Sequence, residues 1–303
     1  MSDRQLVVLG TASQAPTRHR NHNGYVLRWD GESILFDPGE GTQRQFTLAG
    51  VSVPSIGRIC ITHFHGDHCL GLPGVIMRMA LDNGPLPVPI HYPASGQANF
   101  EHLRFASAGQ EYVDVDPHPI SEPGLVERTD RFTITCSRLS HRVESFGYRI
   151  EEPDGRRMLP ERLDALGVVG VDIGRLQQEG EIRIDGRTIT LDEVSEHRPG
   201  QVFAFVMDTA WCDAALELAQ GADLLVCEST FLQSEADLAA EYGHLTADQA
   251  GLLAKEAGAR RVVLSHFSQR YPDIDAFVEE AGRHVDDVIA AEDLQRIPVP
   301  DRR

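Results

Sequence analysis

The run Thr62-His63-Phe64-His65-Gly66-Asp67-His68 places three imidazoles and one carboxylate within six residues. Before it, Arg58-Ile59-Cys60-Ile61-Thr62 reads as a short buried strand; after it, Leu72 to Leu81 reads as a helix. The cluster therefore lies on a strand-to-helix loop, where side chains can converge on one point. His63 and His65 can reach one ion, and Asp67 and His68 a second one nearby. Imidazole and carboxylate favour zinc, with manganese or iron also compatible. Metal-assisted hydrolysis is the first chemistry such a loop suggests.

Working outward, further ligands are expected where other strands end. His141 follows the strand-like Phe132 to Leu139, Asp208 ends Val202 to Met207, and His266 ends Val262 to Ser265. Leu6 to Leu9 reads as a strand, and Tyr25 to Trp29 with Ser33 to Asp37 reads as a hairpin turning at Asp30-Gly31. Val88 to Tyr92 and Leu224 to Cys227 are further strands; Gly96 to Ala106, Cys212 to Ala219, Thr246 to Ala257 and Asp275 to His284 are further helices. Strands and helices thus recur in both halves. Asp37 is expected either to orient a ligand histidine or to cap the turn into Pro38-Gly39.

The composition is that of a globular protein: 303 residues, 41% hydrophobic and 24% charged. No run approaches the ~18 consecutive apolar residues of a membrane span. Met1 to Gln5 lead straight into a strand, so no signal peptide is expected and a cytoplasmic location is. The five cysteines form no CxxC pair, which argues against a thiolate zinc knuckle or a disulfide framework. A net charge of −18 disfavours nonspecific binding to polyanions, so an enzyme acting on nucleic acid must concentrate its positive charge locally.

The HxHxDH run, followed at a distance by His141, Asp208 and His266, resembles the metallo-β-lactamase superfamily. That resemblance spans nearly the whole chain and implies an α/β (α+β in some schemes) four-layer αββα sandwich with two metals at the sheet edges. It implies His63, His65 and His141 on one metal, Asp67, His68 and His266 on the other, and Asp208 bridging. Three further motifs are similar to those of the ribonuclease Z family. They are Gly10-Thr11-Ala12-Ser13 then Pro16-Thr17-Arg18-His19-Arg20-Asn21, Gly243-His244-Leu245-Thr246-Ala247, and Ser265-His266-Phe267-Ser268-Gln269-Arg270-Tyr271. In that family the first is a PxKxRN loop associated with discriminating against tRNA that already ends in CCA; here Arg18 stands at the lysine position. Arg18, Arg20, Asn21 and Arg270 are accordingly expected to bind substrate.

The resemblance implies a zinc-dependent endoribonuclease that removes the 3′ trailer from precursor tRNA. It implies two Zn²⁺ per subunit (Mn²⁺ or another divalent ion being compatible), a homodimer, and no membrane. Asp67 and His244 are the expected catalytic residues, Asp67 also accepting a proton from water. Thr246-Ala247-Asp248-Gln249 has the form of a capping box. His244 is thus expected just before a helix N-terminus, protonated when a phosphate is bound there.

Residues 151–200 hold many charges and glycines and no long apolar run, and read as an insertion between two core strands. Leu159 to Leu166 can form a short helix, and Arg183 to Leu191 a hairpin with its turn at Asp185-Gly186. The resemblance makes this segment the protruding tRNA-binding arm of a single 303-residue domain. Its tip, Leu166 to Leu176, lacks the Gly-Pro pair of the family and is not basic. The alternative is a phosphodiesterase or arylsulfatase of the same fold acting on small esters. A noncatalytic nucleic-acid-binding protein on a degenerate scaffold should have lost ligands, and here all are present.

Overall fold

A computed structural model describes residues 4–84, 86–108 and 114–302. Met1 to Asp3, which bear on the expected absence of a signal peptide, lie outside them. The chain opens with β1 (Gln5–Gly10), β2 (Gly24–Trp29), β3 (Glu32–Phe36), α1 (Thr42–Ala49) and β4 (Ile56–Cys60). It continues through α2 (Gly66–Cys69), α3 (Leu72–Leu81), β5 (Val88–Pro93), α4 (Gln97–Arg104) and β6 (Val115–Ile120). Then come β7 (Gly124–Arg128), β8 (Thr133–Arg138) and β9 (Phe146–Glu151). The inserted segment holds β10 (Gly155–Met158), α5 (Pro160–Ala165), α6 (Val171–Glu179), β11 (Glu181–Ile184), β12 (Arg187–Thr190), α7 (Leu191–Val194) and β13 (Ser195–Arg198). The rest is β14 (Val202–Val206), α8 (Asp213–Ala219), β15 (Leu224–Glu228), α9 (Ala236–Tyr242), α10 (Ala247–Ala257), β16 (Val262–Ser265), α11 (Asp275–Ala281), β17 (Val288–Ala290) and β18 (Arg296–Pro298).

Two seven-stranded sheets result, ordered β18-β1-β2-β3-β4-β5-β6 and β17-β16-β15-β14-β9-β8-β7. Strands alternate their side chains between two buried faces, which is why they read as continuous apolar runs. Leu6, Val8, Tyr25 and Phe36 pack between the sheets against Phe146, Phe203 and Phe205. Phe36 and Phe205 stack across that layer with centroids 4.7 Å apart. The other face of the first sheet, with Val7, Leu9, Val26 and Leu35, packs on Phe46, Leu72, Val75 and Phe100 of α1, α3 and α4. The second sheet's outer face, with Ala204, Val206 and Leu225, packs on α8, α10 and α11 through Leu218, Leu253 and Phe277. This is the four-layer αββα sandwich. Among the described residues no helix is long and apolar enough to cross a membrane.

Glu151–Gln201 form a second compact unit. Contrary to its polar reading, it has its own small core of Leu163, Val168, Leu176, Ile182, Ile189 and Val194. The expected hairpin is β11–β12, and Asp185 (φ 48°) with Gly186 (φ 82°) make its turn. The stretch expected to be the tip, Leu166 to Leu176, holds the first part of α6, whose sparse apolar positions gave little periodic signal.

Candidate metal centre

Strand ends deliver the site. Asp37, Asp208 and His266 each follow a strand of the sandwich, and each adopts a left-handed backbone (φ 46°, 45° and 64°). That conformation is uncommon outside glycine and clusters where structure is strained for function. It turns the chain sharply so that Asp208 and His266 enter the pocket and Asp37 reaches the His68 ring from behind. Backbone contacts are also close: a Cβ on Gly39 would lie 2.2 Å from the Asp67 carbonyl oxygen, and one on Gly71 2.0 Å from the Gly39 oxygen. Only glycines let the β3–α1 loop nest under the His63–His68 loop.

All seven expected ligands meet, in two groups. In the first, His65 Nδ1 lies 2.9 Å from His63 Nε2 and 3.3 Å from His141 Nε2. Asp208 Oδ2 lies 3.6 and 3.7 Å from the same two Nε2 atoms. In the second, Asp67 Oδ2 lies 3.3 Å from His68 Nε2 and 3.4 Å from His266 Nε2. Asp208 Oδ1 lies 3.3 and 3.2 Å from these. One oxygen of Asp208 therefore faces each group. Both groups have ligand atoms within 4.8 Å of one another, compact enough to hold an ion each.

The hydrogen bonds behind the imidazoles test whether a cation fits. Thr62 Oγ1 donates to Asp37 Oδ2 (2.8 Å) and so receives His63 Nδ1–H (3.0 Å). His68 Nδ1–H donates to Asp37 Oδ2 (2.8 Å), and His141 Nδ1–H to the Gly243 carbonyl (3.0 Å). Thr230 Oγ1 donates to Glu228 Oε2 (2.7 Å) and so receives His266 Nδ1–H (2.7 Å). Four rings are thus held as the Nδ1–H tautomer, with the Nε2 lone pair turned to the centre. Asp208 Oδ1 and His266 Nε2 are buried there without a hydrogen bond. Acceptors gathered in this way, with the Asn23 amide Nδ2 3.3 Å from His68 Nε2 as a nearby donor, suit a divalent cation.

The charges agree. Burial holds His63, His65 and His141 below the usual imidazole range. Burial also opposes ionisation of Asp67 and Asp208, but the surrounding histidines, His68 and His266 among them, keep both carboxyls well below their ordinary range.

His244 sits beside both groups, its ring 5.2 Å from those of His141 and His266. Burial acts to lower its pKa, but the buried Glu228 carboxylate, 2.8 Å from Nδ1, outweighs it and pushes it up to about 9. The capping box forms as expected, Thr246 and Gln249 bonding reciprocally at the start of α10. The imidazolium nevertheless has a partner before any phosphate arrives. Glu228 was missed by the sequence reading; its one signal is that it ends the apolar run Leu224 to Cys227, as Asp208 ends its own.

The four expected substrate-binding residues part company. Arg18 is exposed. Arg20 turns inward, donating to the Tyr271 carbonyl with its guanidinium 5.7 Å over the Phe267 ring. Asn21 donates from Nδ2 to the Glu40 carbonyl (2.9 Å) and from its backbone to Asp293 Oδ2 (2.7 Å). Arg20 and Asn21 are thus occupied in holding the loop. Arg270 lines an open pocket of about 510 Å³ above the centre, paired with Glu235 at 3.1 Å. Asp293, also missed, accepts from Thr11 Oγ1 (2.8 Å) and Gln45 Nε2 (3.2 Å) as well as Asn21.

Two sheets with helices outside and this histidine–aspartate centre at their strand ends define a metallo-β-lactamase-fold protein, with side chains suited to divalent metal. Residues 176–267 match the family described as "Beta-lactamase superfamily domain", and residues 4–99 that of "Anti-Pycsar protein Apyc1". The chain is 58% identical over 305 residues to ribonuclease Z of Nocardia farcinica and 56% to that of Streptomyces coelicolor, covering all of each. Among solved structures it resembles human tRNase Z, short form (TM-score 0.71, 25% identity, 98% of this chain and 100% of that one). The metallo-β-lactamase-fold protein YhfI of Bacillus subtilis shares the fold (TM-score 0.70, 18% identity, 97% and 98%). The chain belongs to the ribonuclease Z family.

Proposed function

We propose that this chain removes the 3′ trailer from precursor tRNA, leaving a tRNA 3′-hydroxyl and a 5′-phosphorylated trailer. The observation that carries the reading is the juxtaposition of a doubly facing Asp208 with the His244–Glu228 pair, in a chain similar to ribonuclease Z over its full length. His63, His65 and His141 would hold one cation, Asp67, His68 and His266 a second, with Asp208 shared; the donor set favours Zn²⁺ over Mn²⁺. Such cations supply Lewis acidity, activating water and neutralising charge on the phosphodiester.

The chain's own groups do the rest. Asp67 accepts the proton of the attacking water. His244, kept charged by Glu228 on Nδ1, presents Nε2–H to the pocket and donates to the leaving 3′-oxygen. Arg270 and Arg18 bind phosphate, while Arg20 and Asn21 fix the loop that carries Arg18. Residues 151–200 form the arm that binds tRNA, by shape and backbone more than by charge. The enzyme acts as a cytoplasmic homodimer, the arm of one subunit holding tRNA cut by the other.

Cleavage of trailer-bearing precursor tRNA, with and without an encoded CCA, tests this when the cut is mapped. A cut after the discriminator nucleotide is expected, suppressed by CCA. Zinc-loaded protein that leaves the tRNA intact but hydrolyses a simple phosphodiester would establish the small-ester alternative instead.

A further inference from the structure

Above the histidines, the pocket carries a second tier that the reaction as described does not use. His141 and His244 face each other on its floor, with ring centroids 5.2 Å apart. Their chain neighbours Arg142 and Tyr242 meet at its mouth, the Arg142 guanidinium carbon 4.6 Å over the Tyr242 ring. Both line the pocket, and Tyr242 is 39% exposed at the end of α9.

The two tiers are fastened together. His141 Nδ1–H donates to the Gly243 carbonyl (3.0 Å), and Arg142 donates to the Glu241 carbonyl (2.6 Å). Gly243 takes a left-handed conformation (φ 75°), which lets α9 stop at Tyr242 and the chain turn straight down to His244. A flat aromatic face is thus held in fixed register with the proton donor, its ring already stacked with a guanidinium.

We propose that the Arg142–Tyr242 stack is the platform for one nucleobase, that of the nucleotide whose 3′-oxygen leaves. This rests on the reading above, in which His244 protonates that oxygen. Tyr242 and His244 belong to one corner of the chain, so the nucleoside nearest the donor is the one nearest the ring. Stacking suits the position because every base has a π-face, and the grip does not depend on which of the four is present. It also suits a chain with net charge −18, whose own side chains offer RNA phosphates little attraction.

The test is a cycle between Tyr242→Ala and a precursor tRNA made abasic at the discriminator position. Each change alone should lower kcat/KM about ten-fold or more, the range found when a base loses its aromatic partner. Together they should lower it no further than either alone, and Tyr242→Phe should recover the wild-type rate on the intact substrate. Multiplying losses would overturn the platform, as would an abasic substrate cut by the wild-type protein as fast as its parent, which needs no variant to fold. If wild-type protein cuts precursor tRNA and Tyr242→Ala cuts it equally well, the platform alone falls. If wild-type protein cuts only bis(4-nitrophenyl) phosphate and no precursor tRNA, the platform falls with the proposed function.

Discussion

Replacing Asp37 by Asn should strip metal from the site while leaving the fold almost untouched. Asp37 is fully buried; Oδ1 receives Thr62 N–H (2.7 Å), and Oδ2 receives both Thr62 Oγ1–H (2.8 Å) and His68 Nδ1–H (2.8 Å). In Asp37→Asn the amide oxygen can keep Thr62 N–H. The amide nitrogen then sits where Oδ2 was, with two protons for Thr62 Oγ1 and His68 Nδ1. Both must now accept, so His68 shifts its proton to Nε2, the atom that faces the second ligand group. Thr62 Oγ1, freed from donating to Asp37, can donate to His63 Nδ1 and disturb that tautomer as well.

Restoring the ligating form of His68 sets N–H against N–H in a buried place. That costs about 1–3 kcal/mol, the penalty of an unmade buried hydrogen bond, or roughly 5- to 150-fold in affinity. Replacing such outer partners of a ligating histidine typically weakens metal binding by about 10–100-fold, in the same range. Stability should respond differently, because every contact still finds a complementary partner. The variant also removes a carboxylate whose ionisation burial already disfavours, its pKa lying above the ordinary value. Competition of metal-stripped protein against a chromophoric zinc chelator gives the affinity, thermal unfolding of the same sample gives the stability, and ring-nitrogen NMR reports the tautomer. Wild-type zinc affinity in Asp37→Asn, or a loss of affinity fully accounted for by unfolding, would refute the tautomer argument.

Glu228→Gln should lower cleavage of precursor tRNA at pH 7.5 by about ten-fold or more, as His244 falls from a pKa of about 9 to its ordinary 6.5 or below. Because that pKa is raised in the folded state, its stabilisation is complete below about pH 6.5 and lost as pH rises through about 9. The metal-free wild-type should therefore lose stability across that window more steeply than Glu228→Gln, read by denaturant titration at several pH values. Asp293→Ala should raise KM for precursor tRNA several-fold with little change in kcat, since it frees Thr11 and Asn21 at both ends of the loop carrying Arg18; steady-state kinetics and protease nicking of the loop check it. Gly39→Ala should abolish zinc binding, measured as bound metal per chain, because its Cβ would fall 2.2 Å from the Asp67 oxygen.

What could be read from the sequence was what local chemistry specifies. Strands buried on both faces betray themselves as apolar runs, and ligand-type residues at their ends mark where side chains can converge. His63 to His68, His141, Asp208 and His266 were visible for that reason. So was the β11–β12 turn, where Asp185-Gly186 supplies the positive φ that the hairpin needs. The edge strands were not. Pro117 and Pro119 interrupt the pattern of β6, and an edge strand tolerates proline because only one side must pair. The partners of the site were equally hidden. Glu228 reaches His244 across 16 residues, and Asp293 reaches Asn21 across 272, so no spacing announces either. Arg20 looked like a phosphate contact because charge in a loop motif cannot reveal which way a side chain turns.

The charge balance then constrains how RNA is held. The chain has 46 acidic against 28 basic side chains, and Lys255 is its single lysine. Arginine at position 18, where the family motif has lysine, therefore follows usage throughout the chain and is no isolated change. Around the pocket most guanidiniums already have partners: Arg142 on Tyr242 and Glu241, Arg270 on Glu235, Arg20 on Tyr271. Asp67 and Asp208 add negative charge at the centre itself, while Glu228 is offset by the His244 imidazolium. A phosphodiester approaching the metal-free pocket would meet carboxylates; with a dication in each ligand group it would meet net positive charge. Metal loading and RNA recognition would then be one property, because ions that activate the water would also supply the attraction that the polypeptide lacks.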